Sequence, residues 1–280
     1  GRIPEAREQL EHAVRIDPAL AGAWYNLGIL LHQTQWFDEA EAAFGRAQQL
    51  LRTPDDPLLG PVMISRGLSL QSAGRFREAR AYLCDMAALH PRHAADCLRN
   101  ALFTWVEDHE ASPQEKLAAH VAWAAQFADP LLPASPARPN GQDPDRPLRI
   151  GYLSGDLRAH AVSYFFECLL EYHDRSAFQV FCYDNTASTD AANLALQRWP
   201  ATWRKVAAMD DAALAETIRA DGIDILVDLS GHTARNRLDA MARKPAPLQA
   251  TWLGYPLSTG MRAIDYRITD AVVDPPGLSE

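Results

Sequence analysis

One pattern recurs three times in the N-terminal part of this chain and restricts its fold more than any other feature. Ile3-x-Glu5-Ala6, Phe37-x-Glu39-Ala40 and Phe76-x-Glu78-Ala79 stand 34 and 39 residues apart, and the stretch around Pro54 and Pro57 has room for the extra five. Four positions after each alanine comes a large apolar residue, Leu10, Phe44 and Leu83, and twelve after it Pro18 and Pro91 close the first and third copies. The middle copy places Trp24, Leu27 and Gly28 ahead of Ala40 and Ala47, and Gly67 occupies the position of Gly28 in the next copy. Small residues at this spacing let two antiparallel helices approach, while Trp24, Leu27 and Phe44 fill the groove between neighbouring pairs. A single hairpin of this kind cannot bury its apolar face, so the copies must stack.

The period and its residues match the tetratricopeptide pattern. In that register the chain opens on the second helix of a repeat, so a helix is expected upstream. Beyond Pro91, residues 94–106 and 115–127 read as amphipathic helices. The second starts with Ser112-Pro113-Gln114-Glu115, a capping box with proline at the first helical position. These two helices are expected to cap the array and lean on the next domain, so repeats and capping helices are expected over 1–128. Residues 129–147 hold prolines 130, 133, 136, 139, 144 and 147 together with Asn140-Gly141. Proline removes backbone donors and restricts its predecessor, so this stretch reads as a stiff linker and as the domain boundary.

From Leu148 the periodicity changes. Strands are expected at 148–153, 178–183, 223–228, 249–253 and 266–269. Helices are expected at 162–172, 191–198 and 211–220, with another ending near Arg243. Alternating strands and helices give a mainly parallel sheet covered on both faces, with ligands beyond the carboxyl ends of its strands. The polar turns there are 154–160, 230–233 and 254–256. The first has one glycine, Gly155, where a dinucleotide fingerprint needs three, and no Lys-Ser/Thr phosphate loop is present. Oxidoreductase and P-loop readings are set aside on that ground.

Charge narrows the function further. With 27 Lys+Arg against 36 Asp+Glu and a net charge of -9, the chain is a poor candidate for nucleic-acid binding, which needs clustered cations to neutralise phosphates. No apolar run reaches the roughly 20 residues of a membrane span, and residues 1–15 are charged rather than signal-like. Cys84, Cys97, Cys168 and Cys182 lack metal or redox spacing and fit a reducing, cytoplasmic setting. His90-x-x-His93 has no companion ligands, and Asp143-x-Asp145 lies in the proline-rich stretch rather than at a strand end, so neither is taken as a metal site.

The residues from Arg149 to Asp156, Arg-Ile-Gly-Tyr-Leu-Ser-Gly-Asp, with His160 four positions on, resemble the opening of the catalytic domain of O-linked N-acetylglucosamine transferases. Asp228-Leu229-Ser230-Gly231-His232-Thr233, Arg243-Lys244-Pro245-Ala246-Pro247-Leu248-Gln249, residues 252–260 and residues 265–270 continue the likeness to about Pro276. The Spindly branch is the most similar, through His160-Ala161-Val162-Ser163-Tyr164-Phe165 and the Gly231-His232-Thr233 turn. The resemblance implies an all-α tetratricopeptide superhelix followed by a Rossmann-like α/β lobe, the first half of a GT-B fold whose second lobe would follow Glu280. It also implies a protein O-glycosyltransferase, with the repeats presenting a polypeptide acceptor. The donor would be a nucleotide-sugar, UDP-N-acetylglucosamine first and GDP-fucose second, and no metal would be needed. Without a second lobe, negligible activity is expected. The rival is a non-catalytic repeat scaffold with a degenerate transferase half.

The resemblance makes His160 the expected catalytic residue, bonding a diphosphate, orienting the acceptor hydroxyl or moving a proton. From position alone it reads equally as a helix-capping or loop histidine. Ser230, His232 and Thr233 are expected in substrate binding, on a turn whose backbone N–H groups face an anion at a helix N-terminus; capping by Ser230 or Thr233 is the plainer alternative. Tyr255 and Pro256 are weaker substrate-binding candidates on a rigid turn. Asp156 is expected to cap the helix after His160 rather than to position that histidine.

Overall fold

A computed structural model describes residues 2–135, 140, 141, 143 and 145–275. Prolines 136, 139 and 144 and the tail from Pro276 lie outside the described residues. The chain divides into two compact units at Ser112/Pro113.

The first unit is helical: α1 Ile3–Ile16, α2 Ala21–Gln33, α3 Phe37–Leu50, α4 Leu59–Ser72, α5 Phe76–Leu89 and α6 Ala94–Phe103. The repeated motif marks the starts of α1, α3 and α5. The five additional residues of the second period enter as four more in the connection 51–58 and one more in α4. Ala40, Ala47 and Ala79 are fully buried, which lets the helices of each hairpin come close. A Cβ on Gly28 would lie 2.6 Å from the Phe44 ring, and one on Gly67 would lie 2.7 Å from the Leu83 side chain. The two glycines thus occupy equivalent seats in successive repeats. Leu27, Leu31, Phe44 and Val62 share one core, with Trp24 packed at its margin.

The second unit opens with α7 Pro113–Phe127. A six-stranded parallel sheet follows, formed by β1 Leu148–Ser154, β2 Phe178–Asp184, β3 Thr202–Lys205, β4 Ile225–Asp228, β5 Leu248–Trp252 and β6 Tyr266–Ile268. Its helices are α8 Ala161–Tyr172, α9 Ala191–Leu196, α10 Asp211–Ala220 and α11 Leu238–Ala242. One face of the sheet buries Ile150, Tyr152, Val180 and Val227 beneath Val162, Phe166 and Leu170 of α8 and Leu196 of α9. Towards the other face, Gly151 leaves room for Tyr183, Leu226 and Ile223.

The strand order is β3-β2-β1-β4-β5-β6. The chain runs outward from β1 through β2 to β3, then crosses back to lay β4 on the other side of β1. The order reverses between β1 and β4, and beyond the carboxyl edge at such a reversal is where ligands bind in sheets of this type.

Two differences from the sequence expectation matter for the site. α7, expected to cap the repeats and lean on the next domain, belongs to the α/β unit itself. The helix ending near Arg243 is only the five-residue α11, because residues 229–237 are spent on turns. Ends of the 129–147 stretch are tied to the lobe. Arg146 pairs with both Asp224 oxygens at 2.8 and 2.6 Å, Asn140 bonds Asp224 at 3.0 Å, and Asp129 accepts the Arg262 N–H at 3.1 Å.

Candidate functional site

The loop after β1 turns on its own hydrogen bonds. Ser154 Oγ accepts the Asp156 N–H at 3.0 Å, and Ser163 Oγ lies 2.9 Å from Asp156 O and 2.5 Å from Arg158 O. Asp156 binds Arg158 at 3.0 Å and does not cap α8. The cap is His160, whose extended backbone (φ -154°, ψ 155°) turns Nδ1 towards the Val162 N–H at 3.3 Å. The capping expected of Asp156 is therefore done by His160, one of the two readings its position allowed: Asp156 lies deep in the loop, being only 7% exposed. With Nδ1 accepting, a neutral His160 carries its proton on Nε2, so that nitrogen is a donor. The ring is 38% exposed, and the Asp156 carboxylate lies 4.0 Å from Nδ1.

Beyond β4, the 230–233 turn is built differently from the expected anion nest. The Ser230 and Gly231 N–H groups donate inward to the Asp228 carboxylate at 3.1 and 2.7 Å, and Thr251 Oγ1 donates to it at 3.0 Å. Burial raises the Asp228 carboxyl above its ordinary value, and these three donors oppose that rise. No helix starts at this turn; α11 begins at Leu238 without a side-chain cap. Thr233 Oγ1 donates to Ser230 O at 2.8 Å, which makes it a turn residue rather than a cap. Two backbone N–H groups are thus already taken by a carboxylate, and a helix-end anion site is not what this turn forms.

Three of the candidates share one interior. Ser230, His232 and Tyr255 are buried, Thr233 is half-buried, and Pro256 is exposed with its carbonyl accepting from Arg267 at 2.9 Å. His232 Nε2 donates to Thr259 O at 3.0 Å. Its ring stands edge-on to Trp123 at 4.7 Å, and close to His120 at 5.3 Å and Tyr255 at 5.4 Å. His160 makes its contacts within the β1 loop. The two loops meet where Gly155 faces Arg235: a Cβ on that glycine would lie 2.8 Å from Arg235 Cβ.

Two features here left no trace in the motifs. Arg235 and Leu253 both have left-handed backbone, φ 58° and 72°, a conformation that costs a residue with a side chain of order 1 kcal/mol or more and collects at functional loops. Leu253 is the centre of a tight turn closed by Gly254 N–H to Trp252 O at 2.9 Å, directly beyond β5. Arg235 is held by Asn185 Nδ2 on its carbonyl at 2.9 Å, while the neighbouring Arg237 is consumed by Asp211, Asn185, Val206 and Met209. The exposed Arg235 side chain makes no ion pair among the described residues, unlike Lys205, which binds Asp184 at 2.6 Å. Burial would raise the Asp184 carboxyl, but Lys205, Thr186 and Asn193 outweigh it and hold it below the usual carboxylate range. The loops at the carboxyl edge thus hold a hydrogen-bond donor at His160, a cation at Arg235 with no ion pair among the described residues, and left-handed backbone at 235 and 253.

The sequence profile described as glycosyl transferase family 41 matches residues 136–280, and tetratricopeptide profiles match residues 1–35 and 21–50. The chain is 43% identical over 166 residues to SPINDLY of Oryza sativa subsp. japonica, named a probable UDP-N-acetylglucosamine–peptide N-acetylglucosaminyltransferase; the match covers 58% of this chain and 18% of that protein. It is 38% identical over 131 residues to the UDP-N-acetylglucosamine–peptide N-acetylglucosaminyltransferase of Caenorhabditis elegans, covering 46% of this chain and 11% of the relative. A solved mutant form of the Thermobaculum terrenum O-GlcNAc transferase superposes with a TM-score of 0.83 at 36% identity, over 99% of this chain and 52% of that one. The chain thus spans about a fifth or less of the curated relatives it matches and about half of the solved one. With the profile running through the whole sheet and both edge loops, the chain belongs to glycosyl transferase family 41.

Proposed function

We propose that this chain is the acceptor-side part of a protein O-glycosyltransferase, which moves a sugar from a nucleotide-sugar to Ser or Thr hydroxyls of proteins presented by the repeats. The single observation behind this reading is the strand-order reversal between β1 and β4, beyond which the loops of a family 41 lobe carry a donor N–H, an exposed cation with no ion pair among the described residues and two left-handed turns. UDP-N-acetylglucosamine is the proposed donor, supported by the names of the relatives; GDP-fucose is the second, supported by the Spindly-like loops. In this reading His160 Nε2–H bonds a diphosphate or sugar oxygen as the leaving group takes up charge, where a fixed donor is worth more than in water. Thr233 and Pro256 lie on the accessible side of their loops. Ser230, His232 and Tyr255 shape the same wall from behind.

The test is a transfer assay on the full-length gene product, with UDP-N-acetylglucosamine and GDP-fucose in parallel and mass spectrometry of the acceptor. A sugar on Ser or Thr with one donor supports the reading, and modification with neither rejects it in favour of a scaffold. Activity is expected to survive EDTA, because the resemblance assigns charge stabilisation to protein groups. Abolition by EDTA and restoration by a divalent cation would contradict that.

A further inference from the structure

We propose that α7 is a brace for the site, and that His120 and Tyr255 are positioning residues which set the turn carrying His232 and Thr233. The proposal rests on the reading of that turn as one wall of the site.

The packing that carries it runs through three glycines. Gly260, with φ 73°, faces α7 so closely that a Cβ would lie 2.3 Å from the His120 carbonyl carbon. Gly254 faces Leu229, where a Cβ would lie 2.0 Å from the carbonyl oxygen, and Gly231, with φ 55°, faces Tyr255, where it would lie 2.2 Å from Cβ. The helix, the 254–260 loop and the 229–233 turn therefore form successive close-packed layers, backbone on backbone at Gly260/His120 and Gly254/Leu229 and backbone on side chain at Gly231/Tyr255. Such layers transmit displacement, because close-packed interiors yield little.

Hydrogen bonds fix the orientation of these layers. His120 is fully buried, and its Nδ1 lies 2.6 Å from Lys116 O. A carbonyl only accepts, so Nδ1 bears the proton. Nε2, 2.7 Å from the Tyr255 hydroxyl, must then accept from it while the ring is neutral. Burial lowers the His120 pKa, against the opposing bond to Lys116 O, which favours that neutral state. The Tyr255 hydroxyl thus points into α7 rather than towards a ligand. Trp123, one helical turn further, supplies the edge against which His232 stands. A core whose only requirement was apolar burial would not need a phenol and two imidazoles with defined donors.

Three variants test this, in two assays. In the present chain, hydrogen exchange of the 230–233 amides is expected to quicken in Tyr255→Phe and in His120→Leu, with the β1 and β4 amides unchanged. His120→Gln, whose Oε1 can still accept the phenol proton, should exchange like the parent. In the full-length protein, Tyr255→Phe and His120→Leu should lower kcat about tenfold or more, since sub-ångström to 1 Å misplacement is costly. Donor KM should stay within about twofold, and His120→Gln should restore most of kcat. Equal behaviour of Gln and Leu at position 120, or unchanged exchange at 230–233, would overturn the brace even in an active enzyme. Faster exchange at 230–233 with kcat unaltered in an active parent would instead overturn the assignment of that turn to the site.

Discussion

His160 combines two duties that substitution can separate. As the α8 cap it satisfies one first-turn donor, a bond worth at most about 1 kcal/mol. As the proposed Nε2 donor it acts on the leaving group. His160→Asn keeps a good capping residue and removes the imidazole. It should therefore melt like the parent, while turnover of the full-length enzyme falls about a hundredfold. His160→Ala should lose both. An active His160→Asn enzyme would leave only the cap. The site residues were unevenly legible at this scale. His160 stood out through its motif, and its position allowed a helix cap, but the sequence favoured Asp156 for that cap: the choice depends on how Ser154 and Ser163 fold the loop. His232 and Tyr255 were found by resemblance, and their burial was hidden because their partners, His120 and Trp123, come from a helix more than a hundred residues earlier. Gly231→Ala makes the tight packing measurable. A left-handed residue gaining a Cβ against Tyr255 should cost about 3 kcal/mol, combining backbone strain with overpacking, read by chemical denaturation.

At the scale of elements, most of the sheet could be read from the chain because buried parallel strands are short apolar runs between turns. β3 could not. Thr202-Trp203-Arg204-Lys205 is a four-residue edge strand, partly exposed and charged, so no run or alternation betrays it. The repeats were legible for the opposite reason, since a period repeated in sequence needs no tertiary information. That α7 would touch the α/β unit was expected; that it belongs to that unit was not, because amphipathic periodicity reports that a helix has a buried face and not what covers it. His120 makes that docking pH-sensitive. Its folded pKa is lowered, so the folded state binds fewer protons than the unfolded state, whose histidine titrates near about 6.5. Stability is therefore full above that value and declines as pH falls below it. His32 and His173, also lowered by burial, add to the slope. His120→Gln should flatten the melting temperature between about pH 6.5 and 5 relative to the parent. A further decline is expected below about pH 4. Burial alone would raise Asp224, but Arg146, the Arg149 N–H and Asn140 hold it low. Asp224 is stabilised when charged, and its contribution disappears as acid protonates it.

At the scale of the whole molecule, the two units have different logic. The first is a stack whose equivalent seats, Gly28 with Phe44 and Gly67 with Leu83, repeat one contact along the chain. The second is a single sheet whose strand order creates one place of reversal, and the strained residues 235 and 253 stand in the loops of its carboxyl edge. In the proposed function, this lobe offers one wall to a nucleotide-sugar. The most direct measurement of that claim is transfer of N-acetylglucosamine from UDP-N-acetylglucosamine to a Ser/Thr peptide, by the full-length protein and by this 280-residue chain, each as parent and as His160→Asn. The account predicts glycosylated peptide from the full-length parent, about a hundredfold less from its His160→Asn form, and none above background from either version of the short chain. Transfer by the short chain at the full-length rate, or full-length activity indifferent to His160, would contradict it.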